Sequence, residues 1–247
     1  MDKIIKFTLG LFVLILIIFV AVVSYTSYID TTYRNSFTGT YVYTCTITTD
    51  SIISNVTLFL PVPEDLKGSS PLDAQISEQH VFGVPEDWTI TLYDTGKATL
   101  LKVSAPAIGQ PAVNGSAQTT TITLVANASS HMPIDTRSPV ENAVVFRPVQ
   151  DMQTVACPAS DVKTDSTPEC SEYLTSTYAD YTAAPSASVS ISASLEATNS
   201  RTIFTPESNG YKNRIYVLMH GDKHGWETTR GWLESGIGVY DAPKIIS

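Results

Sequence analysis

Residues 7–25 read FTLGLFVLILIIFVAVVSY, an apolar run interrupted by Thr8, Gly10 and Ser24 and free of charge. As a helix it reaches roughly 28 Å, close to the ~30 Å hydrocarbon core of a bilayer. No other stretch of the chain resembles it. It divides the chain into one N-terminal transmembrane α-helix and an aqueous body that starts near Asn35. The lipid bilayer is then the partner of residues 7–25.

The flanks set the direction. Lys3 and Lys6 precede the run, while Arg34 follows it with Asp30 opposing it. Basic residues stay on the cytoplasmic side. Residues 1–6 therefore read as a cytoplasmic N-terminus, 26–37 as a juxtamembrane linker and 38–247 as the extracellular domain of a single-pass protein of the cell membrane. Tyr25, Tyr28 and Tyr33 fall where amphipathic rings suit the outer headgroup layer. The rival reading is a cleaved signal peptide, whose apolar core spans about 7–15 residues before a small-x-small site. Residues 22–24 offer such a site, but the longer run favours an uncleaved signal-anchor.

The body is acidic. The whole chain carries −9 and residues 1–34 carry +1, which leaves −10 outside. That sign argues against nucleic acid and against adhesion to anionic lipid. Three cysteines are present. Cys157 and Cys170 bracket a polar loop stiffened by Pro158 and Pro168, which in an oxidising exterior reads as a local disulfide. Closing such a loop is worth roughly 3 kcal/mol in the chain-entropy model. Cys45 alternates with Tyr41, Tyr43 and Ile47 and reads as a small core hydrophobe.

Thr, Ser, Val, Ile and Tyr dominate beyond the helix, which is strand chemistry. Residues 40–48 place Tyr41, Tyr43, Cys45 and Ile47 on one face and Val42, Thr44, Thr46 and Thr48 on the other. In 55–60, Val56, Leu58 and Leu60 alternate with Asn55 and Thr57, and Pro61 and Pro63 end the strand. Segments 88–93 and 98–105 flank a turn in which Gly96 supplies the positive φ of a hairpin. Further strands are predicted over 117–126, 187–197 and 214–220. Period-two alternation with Pro, Gly and Asn turns predicts a mainly β body, an antiparallel β-sandwich of about 8–10 strands. Residues 61–85 and 129–185 lack the pattern. The second stretch reads as a disulfide-bearing insertion near 130–185, with a short strand fitting 143–146.

Three sequons, Asn55 with Thr57, Asn114 with Ser116 and Asn127 with Ser129, permit N-glycosylation in an exterior chain. His220, Asp222 and His224 alternate, so on a continuous strand they would share a face and suit Zn²⁺. Gly221 and Gly225 favour a polar hairpin loop there instead, and no metal or other cofactor is expected. Asp161, Asp165 and Glu169 match no calcium-loop spacing. Trp226, Trp232 and Tyr240 are candidates for a sugar-stacking platform, against the more common core role of aromatic residues. No nucleophile, base and oxyanion donor stand at recognisable spacing.

NVTLFLPVP over 55–63, followed by PIDTRSP over 133–139, resembles uncharacterised membrane-anchored surface proteins of methanogenic and related archaea. The resemblance covers these motifs and the anchor-plus-β layout. It implies a cell-surface location and brings no catalytic residues. The expected role is non-enzymatic: a structural, assembly or adhesive surface protein that binds another envelope component or itself. The alternatives are a carbohydrate-binding surface module and a metal-dependent hydrolase built on His220, Asp222 and His224. The predicted topology has a direct test. Protease added to sealed cells should destroy epitopes beyond Asn35, and a protected C-terminal region would reverse the orientation.

Overall fold

The chain begins as one long helix, α1 (Asp2–Asn35), in a computed structural model that describes residues 2–110, 118–130, 132–158, 167–202 and 206–240. Its segment Lys3–Thr32 is long and apolar enough to cross a membrane, and the most apolar part buries nothing against the rest of the chain. Residues 26–35, expected as a linker, continue the helix. No Gly or Pro interrupts them, and the Thr26 and Thr31 hydroxyls donate back to the carbonyls of Val23 (2.9 Å) and Ser27 (2.8 Å). Only Ser36 and Phe37 separate α1 from the first strand.

That strand, β1 (Thr38–Thr49), is followed by β2 (Ile53–Pro61), β3 (Pro63–Glu64), α2 (Asp73–Ser77), β4 (Thr89–Asp94) and β5 (Thr99–Ile108). Then come β6 (Thr120–Ser130), α3 (Pro139–Asn142), β7 (Val145–Phe146), β8 (Gln150–Val155), β9 (Glu169–Ala183), β10 (Ser188–Thr202), β11 (Pro206–His220) and β12 (Lys223–Gly238). Among the described residues, ten strands form one sheet in the order β4-β5-β2-β9-β12-β11-β10-β1-β6. Strand β8 shares an edge of β9 with β2: β8 takes residues 170–174 and β2 takes 178–183. Every ladder is antiparallel.

The sheet curls until its two edges approach. Phe82, just before β4, bridges Val125 of the opposite edge strand β6, and α2 packs against both β4 and β6. Hydrogen bonding runs unbroken across this curled sheet from β4 to β6. The body is mainly β and antiparallel, as its alternation indicates. Tyr43, Cys45 and Ile47 of β1, Val56, Leu58 and Leu60 of β2, and Val189, Ile191, Ala193 and Leu195 of β10 all point into the core. The hairpin turn also forms as expected, with Gly96 at φ +74° and its N–H on Asp94 Oδ1 at 2.7 Å.

The stretch read as an insertion is organised differently. Its last part is β9, a central strand. Its first part, residues 132–148, alternates between solvent and the interior of the curled sheet, with Met132, Arg137 and Glu141 exposed and Ile134, Val144, Val145 and Phe146 in the core. Strand β7 pairs there with β3, away from the main sheet. An irregular segment in a core needs partners for its backbone. Asn199 supplies them to Ile134: its Oδ1 accepts the Ile134 N–H (3.0 Å) and its Nδ2 donates to the Ile134 carbonyl (2.8 Å). Asn213, wholly buried, accepts the Phe146 N–H at 2.8 Å and donates to the Tyr173 hydroxyl (2.6 Å) and the Trp232 carbonyl (3.0 Å). Tyr211 donates to the Val144 carbonyl.

Replacing Asn213 by Ala leaves the Phe146 N–H and the Trp232 carbonyl without this partner. Asn213→Ala should lower unfolding stability by about 3 kcal/mol, read by denaturant titration. A loss within error of zero would mean that these contacts do not hold the inner segment.

Candidate functional site

The outer face of the sheet has two chemical halves. On β10, β1 and β6 it is a field of hydroxyls. Ser190, Thr48 and Thr121 lie side by side, as do Ser192, Thr46 and Thr123. Neighbouring threonines touch, with hydroxyl separations of 3.2 Å for Thr48–Thr121 and 3.4 Å for Thr46–Thr123. Such pairs are ordinary strand stabilisation.

The other half carries the aromatic residues. Phe59 of β2 lies opposite Tyr178 of β9, and Tyr178 opposite Trp226 of β12. Ring centroids are 5.5 Å apart in both pairs, and the Tyr93 ring of β4 stands 5.1 Å from Phe59. All three contacts are edge-to-face, the geometry the ring quadrupole prefers. Lys102 of β5, opposite Phe59, places Nζ 5.9 Å from that ring. The row crosses five adjacent strands. Its two ends are open to solvent: Tyr93 is 50% exposed and Trp226 is 59% exposed. His224 and Asp180 border the row near Trp226, joined by a 2.6 Å contact between Nδ1 and Oδ1.

Aromatic rings left in water on a sheet can stack on a ligand or insert into a partner. The sequence pointed to Trp226 but not to its neighbours. Phe59 has the parity of Asn55 and Thr57, the polar side of its strand, and an outward Phe there was the available signal.

The other predicted residues do not converge. Trp232 is on the same outer face as Trp226, but six residues along β12 put roughly 20 Å between them. Tyr240 is elsewhere again: its hydroxyl contacts Thr136 at 2.8 Å and its ring carries the Arg137 guanidinium at 4.3 Å. The three are not one platform. His220, Asp222 and His224 also separate. His220 ends β11 opposite Ser188, Asp222 accepts the Ala183 N–H, and His224 turns to Asp180. Among the described residues no three His, Cys, Asp or Glu side chains gather as metal ligands. Asn55, at φ +54° on a bulge of β2, and Asn127 on edge strand β6 are both exposed. Asn114, Asp161 and Asp165 lie outside the described residues.

A second cleft, of about 700 Å³, lies beside Glu64, Lys67, Lys97 and Arg147. Burial raises the Glu64 carboxyl above its usual range, although the Thr99 N–H donates to it at 3.1 Å. Arg147 donates to the carbonyls of Glu64 and Val140. These bonds clasp the inner segment to β3. Comparison with known protein families, curated proteins and solved structures finds no match to this chain.

The cysteines behave as two kinds. Cys157 and Cys170 form a disulfide, with Cα atoms 5.2 Å apart. Cys45 is free and buried, and burial pushes its thiol up to about 12. At pH 8 its thiolate is suppressed as well as enclosed. Iodoacetamide should leave Cys45 of the folded protein unmodified and alkylate it after unfolding without reductant. Rapid labelling of the folded protein would contradict this burial.

Proposed function

We propose that this chain is a membrane-anchored surface protein with a structural, assembly or adhesive role. Its N-terminus is cytoplasmic, its β domain is extracellular, and its aromatic face binds another envelope component. The observation that carries the reading is the row Tyr93, Phe59, Tyr178 and Trp226 on the outer face of the sheet, with Tyr93 and Trp226 exposed and Phe59 and Tyr178 half-buried between them, in a domain that follows an apolar helix. Aromatic anchors on a preformed surface are the residues that dominate binding energy in interfaces. The Cys157–Cys170 disulfide favours an oxidising compartment for the domain. The resemblance of the 55–63 and 133–139 motifs to archaeal surface proteins points the same way.

No comparable feature favours hydrolysis. Catalysis requires converging groups, and Asp222 and His224 of the β11–β12 turn are committed to different structural partners.

The reading is tested in native membranes. A photo-crosslinking amino acid at Tyr93 or Trp226 should recover a specific envelope partner or a second copy of the chain. The same probe at Ser192, in the hydroxyl half, should not. Equal capture from both halves, or capture of nothing from the aromatic row, would overturn the proposal.

A further inference from the structure

Arg214 and Arg230 stand apart from the other arginines. Among those whose side chains are described, Arg147 is tied to two backbone carbonyls, Arg201 pairs with Glu207 at 3.0 Å and Arg137 lies over Tyr240. Arg214 and Arg230 have no ion pair, hydrogen bond or ring contact among the described residues, and both are exposed. They share one place. A groove of about 510 Å³ on the outer face is lined by both arginines together with Trp232, Glu172, Asp151 and Gln153. That volume is within the ordinary range of ligand sites.

The register fixes their relation. Trp232 of β12 lies between Arg214 of β11 and Glu172 of β9. Arg230, two residues before Trp232, is diagonal to Arg214, a spacing of roughly 7–8 Å at the backbone that long side chains bridge readily. Gln153 of β8 lies opposite Glu172 and closes the row. Asp151 sits at an irregularity of β8 with φ +49°, a left-handed conformation that an aspartate adopts at a cost. Bulges of this kind re-aim side chains, and here the re-aimed carboxylate lines the groove.

The geometry points to a carboxylated sugar as the ligand of this groove: a uronate-type unit of an acidic polysaccharide. This deepens the surface-binding role proposed above and rests on it. Trp232 offers an apolar ring face to a sugar ring. The two guanidiniums offer paired donors matched to a carboxylate. Glu172, Asp151 and Gln153 offer acceptors for hydroxyls. The balance of charge selects the class. Two arginines face two carboxylates and a glutamine, so the groove offers acceptors beside its cations, and an acidic peptide brings few hydroxyls to meet Glu172, Asp151 and Gln153. A ligand with one carboxylate and many hydroxyls satisfies both sets.

The test uses the full-length protein in lipid nanodiscs, with oligogalacturonate, its neutral methyl ester and poly-glutamate as probes. Oligogalacturonate should bind, and the ester should bind about tenfold or more weakly, because the charge-assisted bonds are lost. Arg214→Gln and Arg230→Gln should each weaken oligogalacturonate binding about tenfold, while Ser192→Ala on the hydroxyl half leaves it unchanged. Both arginines are exposed, and an unaltered circular dichroism spectrum checks the fold of each variant. The inference fails if oligogalacturonate does not bind, if the ester binds equally, or if neither arginine matters. Equal binding of poly-glutamate would also overturn it and assign the groove to an acidic protein segment. Crosslinking from Tyr93 and Trp226 is read separately. If that partner persists without uronate binding, the ligand class falls and the surface role stands.

Discussion

An irregular stretch of backbone buried within a sheet must find hydrogen-bond partners that strands cannot give it. Residues 132–148 meet this demand through asparagine side chains. Each amide offers both a donor and an acceptor, so it can imitate a strand neighbour where none exists. Asn199 brackets Ile134 on both backbone groups, and Asn213 ties Phe146, Tyr173 and Trp232 into one buried network. With the interior filled in this way, the sheet can curl around a solid centre and needs no second sheet. The outward positions of the same strands are then left to solvent.

The fold was legible where the interior is aliphatic. β2 and β10 alternate because Val, Ile, Leu and Ala face inward and mostly polar residues outward, and β1 does the same with Tyr43, Cys45 and Ile47 inward. β9 and β12 were illegible because this relation is weakened or reversed along them. Inward on β12 come Thr229, Gly231 and Ser235, while Trp226 and Trp232 face out. Inward on β9 come Thr175 and Thr177. The cause is the space occupied by rings and hydroxyl pairs. A Cβ on Gly231 would stand 2.2 Å from the Tyr173 ring, and the Thr229 hydroxyl donates to Thr177 at 2.7 Å. Polarity therefore misreports direction on that side of the sheet, and the length of α1 was likewise hidden by the polar residues of its last turns.

The candidate site was legible only in fragments. Trp226 and Trp232 drew attention as aromatic residues near the end of the chain, but the residues that complete their surroundings come from β2, β4, β8, β9 and β11. Phe59, Tyr178, Arg214 and Glu172 become neighbours only through register, which no local pattern encodes. The apparent cluster of His220, Asp222 and His224 failed for the opposite reason. Sequence proximity there crosses a turn, and Asp222 and His224 are drawn to different partners, the Ala183 N–H and Asp180.

The junction between α1 and β1 has a mechanical consequence. Two residues join the helix to a strand that is paired on both sides, by β10 and β6. Tension arriving along α1 enters at Thr38 and runs along β1. It loads two full ladders in parallel, sideways to their bonds, instead of peeling one bond at a time. A load applied between α1 and the domain would thus be resisted by a strand braced on both sides, and the short joint restricts how far the domain can swivel about the helix end.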